Sequence, residues 1–164
     1  MQALQEETQT IVYLPGEGKS VTVAGEVVTF KAVSADTNGA WTLLEFHVPP
    51  HFAGPPLHWH GQEIEAFYIL SGTVTMQFEE RAIKAPAGAF ALVPPGVVHT
   101  FSNQEDVPAT FLTFLSPGGF EGFIEEFGET MRQETTWPPA DMSKYAALDT
   151  KYGIYPPSAR SNRP

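Results

Sequence analysis

The chain has 164 residues, no cysteine and a formal net charge of -10. Its length suits one domain with an unaided core, the missing cysteines exclude disulfides, cysteine zinc sites and a thiol nucleophile, and the acidic balance offers no basic patch for nucleic acid. No apolar run approaches the ~18 residues of a membrane span, and MQALQEETQT carries neither a positive nor an apolar leader region, so a cytoplasmic protein without a membrane partner is expected.

In chain order, residues 1–10 are polar and are expected to be flexible. IVYL (11–14), VTVAG (21–25) and EVVTFKAV (26–33) then read as short strands, the first two separated by the turn PGEGKS. SADTNGA holds an Asn-Gly and reads as a connection. WTLLEFHV (41–48) alternates, with Leu44, Phe46 and Val48 on one face and Glu45 and His47 on the other. AFYILSGTVTMQFEERAIKAPAG has the form strand, turn, strand, turn, strand, and ATFLTFL (109–115) is a further apolar strand. Phe120, Phe123, Ile124, Phe127 and Met131 recur at helical spacing and predict an amphipathic helix, with Glu121, Glu125, Glu126 and Glu129 on its solvated face. A helical turn around Ser143–Asp149 and a proline-rich tail complete the chain. The expected division is a flexible 1–10, a β-barrel over 11–118, and a C-terminal helix and tail over 119–164 lying on the barrel.

Two stretches carry the chemistry. HWHGQEIEAFYILSG supplies His58, His60, Glu65 and Gly72, and GAFALVPPGVVHTFSN supplies Gly88, Pro94, Gly96, His99 and Asn103. His58 and His60 are two apart, so a strand turns both to one face. Three imidazoles and a carboxylate suit a divalent transition metal. His47 and His51 lie outside this set and read as surface or turn residues. Gly72 and Gly96 suit tight turns, Pro94 and Pro95 stiffen the approach to His99, and Asn103 reads as a structural hydrogen-bonding residue. Glu63 is a second candidate carboxylate on the same strand parity as Glu65.

The pattern resembles the cupin superfamily, whose two motifs lie on a small barrel. The second motif runs Gly, five residues, Pro, one, Gly, two, His, three, Asn, and Gly88, Pro94, Gly96, His99 and Asn103 match all five positions. With Gly and Pro each at ~5–7% usage, chance would produce this about once in ten thousand chains of this length. The first motif matches from His58 to Gly72 but departs at its head, where the family has Gly and this chain has Phe52, with Gly54 two positions later. The family's spacings favour Glu65 over Glu63.

The resemblance implies an all-β fold, a cupin-type barrel (double-stranded β-helix, or jelly roll) with a short C-terminal helical segment. It further implies one divalent metal per chain (Fe, Ni, Mn, Zn, Co or Cu) held by His58, His60, Glu65 and His99. The layout is similar to single-domain quercetin-dioxygenase-like cupins, which implies dioxygen cleavage of a flavonol-like or other small aromatic substrate, with Glu65 as ligand and general base. With 12 Phe and 3 Trp in the chain, Phe46, Phe67, Met76, Phe101, Phe111 and Phe114 are candidates to line an apolar pocket, and Tyr68 is expected to face away. The alternatives are a metal-dependent isomerase or lyase on a keto or sugar compound, and a non-catalytic cupin that binds a small ligand. A homodimer is expected, formed through edge strands or through residues 11–33.

Overall fold

The computed structural model describes residues 10–134 and 140–162. Eleven strands and two α-helices follow one another as β1 (Lys19–Val23), β2 (Glu26–Ala32), β3 (Thr42–Val48), β4 (Trp59–His60), β5 (Ile64–Ser71), β6 (Thr73–Phe78), β7 (Arg81–Pro86), β8 (Phe90–Val93), β9 (His99–Ser102), β10 (Ala109–Ser116), α1 (Phe120–Arg132), α2 (Ser143–Lys151) and β11 (Ile154–Tyr155). The larger sheet has the order β1-β2-β3-β10-β5-β8, a three-stranded sheet has β7-β6-β9, and β11 pairs with β4. Every pairing between these strands is antiparallel. The architecture is that of a jelly roll with a helical C-terminal segment.

Alternation explains the core. Leu44, Phe46 and Val48 on β3, Phe67 and Ile69 on β5, and Phe111 and Leu115 on β10 all point inward. Val74, Met76 and Phe101 meet them from the smaller sheet. Each such side chain contributes roughly 1.5–3 kcal/mol by leaving water. Helix α1 lays Phe120, Phe123, Ile124, Phe127 and Met131 against this core, as its periodicity predicts. A Cβ on Gly128 would stand 2.6 Å from a Val21 methyl, so the helix approaches β1 as closely as a missing side chain allows.

Three local expectations change, and one buried carboxylate had no sequence signal. Ile11–Leu14 forms no strand; its side chains are exposed and no strand of the sheets pairs with it. Local β propensity needs a neighbouring strand to satisfy its backbone, and β1 takes that place beside β2. Within the expected proline-rich tail, Ile154–Tyr155 pairs with Trp59–His60. Glu121 departs from the solvated face of α1, accepting hydrogen bonds from Ser34 and, at 2.5 Å, from the Thr42 hydroxyl. Glu26 sits on the inner face, buried, its Oε2 without a hydrogen-bond partner among the described residues. Burial pushes its carboxyl up to about 8.

Candidate metal centre

Main-chain pairing assembles the site. His58 and His99 form a two-residue antiparallel bridge, N–H to carbonyl at 3.0 and 2.8 Å in the two directions. The Pro-Pro-Gly turn closes onto the same strand, with Gly96 N–H donating to the His60 carbonyl at 2.8 Å. On the far side of β4, Gly61 N–H donates to Gly153 O at 2.8 Å. Trp59 points away from its histidine neighbours, is stacked by Tyr155 at 4.6 Å, and donates from Nε1 to Pro156 O at 3.1 Å. The strand carrying His58 and His60 is thus fixed on both edges. Glu65 arrives from β5, between Val93 of β8 and Leu115 of β10.

One donor atom from each of His58, His60, Glu65 and His99 lies within 4.8 Å of the others. Glu65 Oε2 is 2.8 Å from His99 Nε2 and 3.2 Å from His60 Nε2. His58 and His99 present Nδ1 to the carbonyls of Pro56 and Val97, each at 2.9 Å, which leaves Nε2 of both rings for the centre of the cluster. His60, Glu65 and His99 are buried and His58 is partly exposed.

The electrostatics follow from this crowding. Burial lowers His58 to about 4, and the neighbouring His99 and His60 add to the effect. Burial works to raise Glu65, but the adjacent His60 and His99 overcome it and hold the carboxyl well below the usual range. Burial opposes charge on His60, and Glu65 reverses that into a raised value. Both ring nitrogens of His60 are buried and, among the described residues, neither has a hydrogen bond, although Nε2 is ion-paired with Glu65 at 3.2 Å. A cation among the four donors would satisfy Nε2 and screen the imidazoles from one another. The donor set fits a divalent transition metal.

Glu63 lies outside the cluster, its Oε2 3.9 Å from His60 Nδ1. His47 is exposed beside Thr110 (3.0 Å), and His51 faces Asp106 (3.0 Å), both away from the site. Asn103 fastens a loop: Nδ2 donates to Pro49 O and Val107 O at 3.0 and 2.8 Å, and Oδ1 accepts from Glu105 N–H at 3.0 Å. Gly72, Gly88 and Gly96 all take positive φ. Tyr68 faces outward.

The aromatic residues behind the cluster form a filled core. Phe46 stacks on Phe111 at 5.2 Å, Phe101 meets Phe111 edge-on at 5.0 Å, and Phe67 approaches Phe111 at 5.8 Å, with Met76 buried beside them. Phe114 is on the other face of β10 against Trp41 (5.7 Å), so it does not line the interior. ATFLTFL is apolar at both parities, which left its inward set open.

Phe120 lacked any sequence signal for the site. Its ring stands edge-on to His60 at 5.6 Å, and it lines a cleft of about 740 Å³ with Trp59, Gln62, Glu63, Lys151 and Tyr152. Only the closure of α1 and the C-terminal segment over β4 brings these residues together.

Residues 44–115 match the cupin domain family. The chain is 27% identical over 116 residues to quercetin 2,3-dioxygenase of Bacillus subtilis, covering 70% of this chain and 33% of that protein. It is 28% identical over 102 residues to a probable oxidoreductase of Hypocrea virens, covering 56% of this chain and 46% of that one. The chain therefore spans less than half the length of either curated relative. A solved structure from Thermotoga maritima, described as a predicted oxalate decarboxylase, superposes with a TM-score of 0.60 at 20% identity, over 65% of this chain and 99% of that one. Among the described residues no helix is long and apolar enough to cross a membrane. With its jelly-roll sheets, the matched region and both motifs on facing strands, residues 44–115 of the chain form a cupin domain.

Proposed function

We propose that this chain is a metal-dependent dioxygenase acting on a flavonol-like or other small aromatic substrate. The carrying observation is the buried convergence of three imidazoles and one carboxylate within 4.8 Å, and the likeness to the Bacillus subtilis dioxygenase supports it. One divalent transition ion per chain fits this set, held by His58, His60, Glu65 and His99. When bound, it supplies Lewis acidity and a template for substrate and dioxygen. Pro56 and Val97 hold the His58 and His99 rings in one tautomer through Nδ1–H. Glu65 stays ionised between two imidazoles and takes the substrate hydroxyl proton on its carboxylate. The buried aromatic core behind it keeps water from that side of the reaction.

A second reading is proton-transfer chemistry, an isomerase or lyase on a keto or sugar compound. The cleft beside His60 favours it, because Gln62, Glu63 and Lys151 offer polar groups for hydroxyls or a carboxylate. A non-catalytic ligand-binding role uses the same donors without turnover.

The test is metal content of the purified protein and of His99→Ala, followed by oxygen uptake with quercetin on the metal-loaded form. About one ion per chain, lost in the variant, with oxygen consumed, supports the dioxygenase. Metal without oxygen uptake, but with solvent-proton exchange into a keto acid, selects the second reading. No metal after reconstitution overturns both.

A further inference from the structure

We infer that the cleft flanking β4 is a binding site for a small organic ammonium ion, separate from the metal centre. At about 740 Å³ it has the size of a small-molecule site. None of His58, His60, Glu65 and His99 lines it. Its walls are aromatic and fixed. Trp59 and Tyr155 stack at 4.6 Å on the side formed by β4 and β11. Phe120 at the head of α1 and Tyr152 just after α2 are both braced on Phe123, at 5.2 and 5.8 Å. Tyr152 fits where Gly122 has no side chain, a Cβ there standing 2.7 Å from its hydroxyl, and it donates to Glu126 Oε1 at 2.6 Å. Aromatic faces attract cations. The chain itself uses one so: the Lys151 ammonium stands 5.2 Å from the centre of the Tyr152 ring.

Charge selects the ligand. Among the described residues, Glu63 and Lys151 are the charged side chains that line the cleft. Lys151 is already matched, its Nζ 2.5 Å from Glu126 Oε1. Glu63 meets no lysine or arginine among the described residues; its Oε2 faces the Gln62 N–H at 3.4 Å and His60 Nδ1 at 3.9 Å. A Cβ built on Gly153 would meet that oxygen alone, at 4.0 Å, so the space before the carboxylate is open. The surrounding field is negative as well. Burial, then Glu126, Glu125 and Glu121, push the Tyr152 hydroxyl up to about 12, in a chain of net charge -10. An anion is repelled here, and a neutral alcohol gains a hydrogen bond at most. An ammonium group on an apolar body gains both the carboxylate and the aromatic faces. The site also bears on the metal, a step that rests on the metal reading above. A cation on Glu63 screens the charge facing His60 Nδ1, so each occupant lowers the other's affinity by the same factor.

The experiment is calorimetric titration of the metal-free full chain with benzylammonium, benzyl alcohol and benzoate. Benzylammonium should bind about once per chain, roughly 10-fold or more tighter than benzyl alcohol, and benzoate should not bind. Glu63→Gln should remove that preference and leave benzyl alcohol as it was. Lys151→Gln, at an exposed position, should tighten benzylammonium by removing a competing ammonium. Glu65→Gln should change nothing, because the metal donors do not line the cleft. Circular dichroism checks each fold; if Glu63→Gln fails to fold, Tyr155→Leu replaces it and should weaken both benzyl probes that bind. Chelator competition with the cleft filled should show metal affinity reduced by up to about 10-fold, and an unchanged affinity overturns the link to the metal. A chain that takes up no metal leaves the titration itself intact. A preference for benzoate overturns the inference and favours the keto-acid chemistry of the second reading. No heat of binding up to about 10 mM benzylammonium overturns it too. So does loss of binding in Glu65→Gln, which would seat the probe among the metal donors.

Discussion

Glu63 Oε2 faces Nδ1 of His60 across 3.9 Å, whereas His58 and His99 present Nδ1 to backbone carbonyls at 2.9 Å. His60 is thus the one imidazole of the cluster whose outer nitrogen looks at a side chain. At that distance the carboxylate acts through its charge, not through a hydrogen bond, and raises the basicity of the imidazole. Glu63→Ala should therefore weaken metal binding by about 10-fold, within the range usual for such partners. Apo-protein stability should change by less than about 0.5 kcal/mol. Competition against a chelator measures the affinity. Complete loss of metal would instead make Glu63 a ligand, and an unchanged affinity would leave it no part in the site.

Removing the metal should cost stability through the same cluster. The three imidazoles stand 4.7–5.6 Å apart, centroid to centroid, and among the described residues neither His60 nitrogen has a hydrogen bond to relieve its burial, Nε2 meeting only the Glu65 carboxylate at 3.2 Å. A ligand held only by the native state stabilises it by about 4 kcal/mol at a thousand times its dissociation constant. For a chain of this size that raises the melting temperature by about 10 °C. Chelator-treated protein should melt lower by that amount and recover on adding metal. In Glu65→Gln the two melting curves should coincide.

How far the sequence reveals this molecule depends on whether the cause is local. Strand parity is local, and it puts Leu44, Phe46, Glu65, Phe67 and His99 inward, as observed. Parity is silent where both faces are apolar, so on β10 it does not distinguish Phe114, which faces outward against Trp41, from the inward Phe111. Ile11–Leu14 has the composition of a strand, but a strand also needs a neighbour, and that is a property of the whole sheet. Ile154–Tyr155 shows the converse: among prolines and glycine it carries little signal, and Trp59 and His60 make it a strand. Phe120 and the cleft share that origin. Their closeness to His60 comes from where α1 docks, which no local spacing encodes.

Glu26 gives a pH dependence whose sign is fixed by burial. The folded carboxyl holds its proton up to about 8, against 4.5 for an ordinary glutamate. Between those values the native state binds one proton more than the unfolded chain, so this group makes stability fall as pH rises, by up to about 1.4 kcal/mol per unit. The fall begins near the unfolded value and levels off above the folded one. Glu26→Gln mimics the neutral acid and removes the slope. The variant should match wild type in urea unfolding at pH 5 and exceed it by about 2 kcal/mol or more at pH 8. Parallel curves for the two proteins across that range would refute the assignment.

Gly54 and Gly88 separate steric from conformational demand for glycine. Both take positive φ, 78° and 86°. Around Gly88 nothing lies within 4 Å of a built Cβ, so alanine there meets only the left-handed backbone cost of about 1–2 kcal/mol. At Gly54 the same atom would stand 1.7 Å from Phe101 O, on the strand that carries His99. That carbonyl cannot yield without moving β9, so Gly54→Ala should cost more than 3 kcal/mol and weaken metal binding as His99 shifts. The adjoining Phe52 bridges to Asn103, so the chain passes under β9 at Gly54, two residues beyond the position where the cupin motif places its glycine. Urea unfolding of both variants, with metal content beside it, decides the matter. Equal losses at the two positions would show that φ alone, and not the approach of Phe101, fixes the residue.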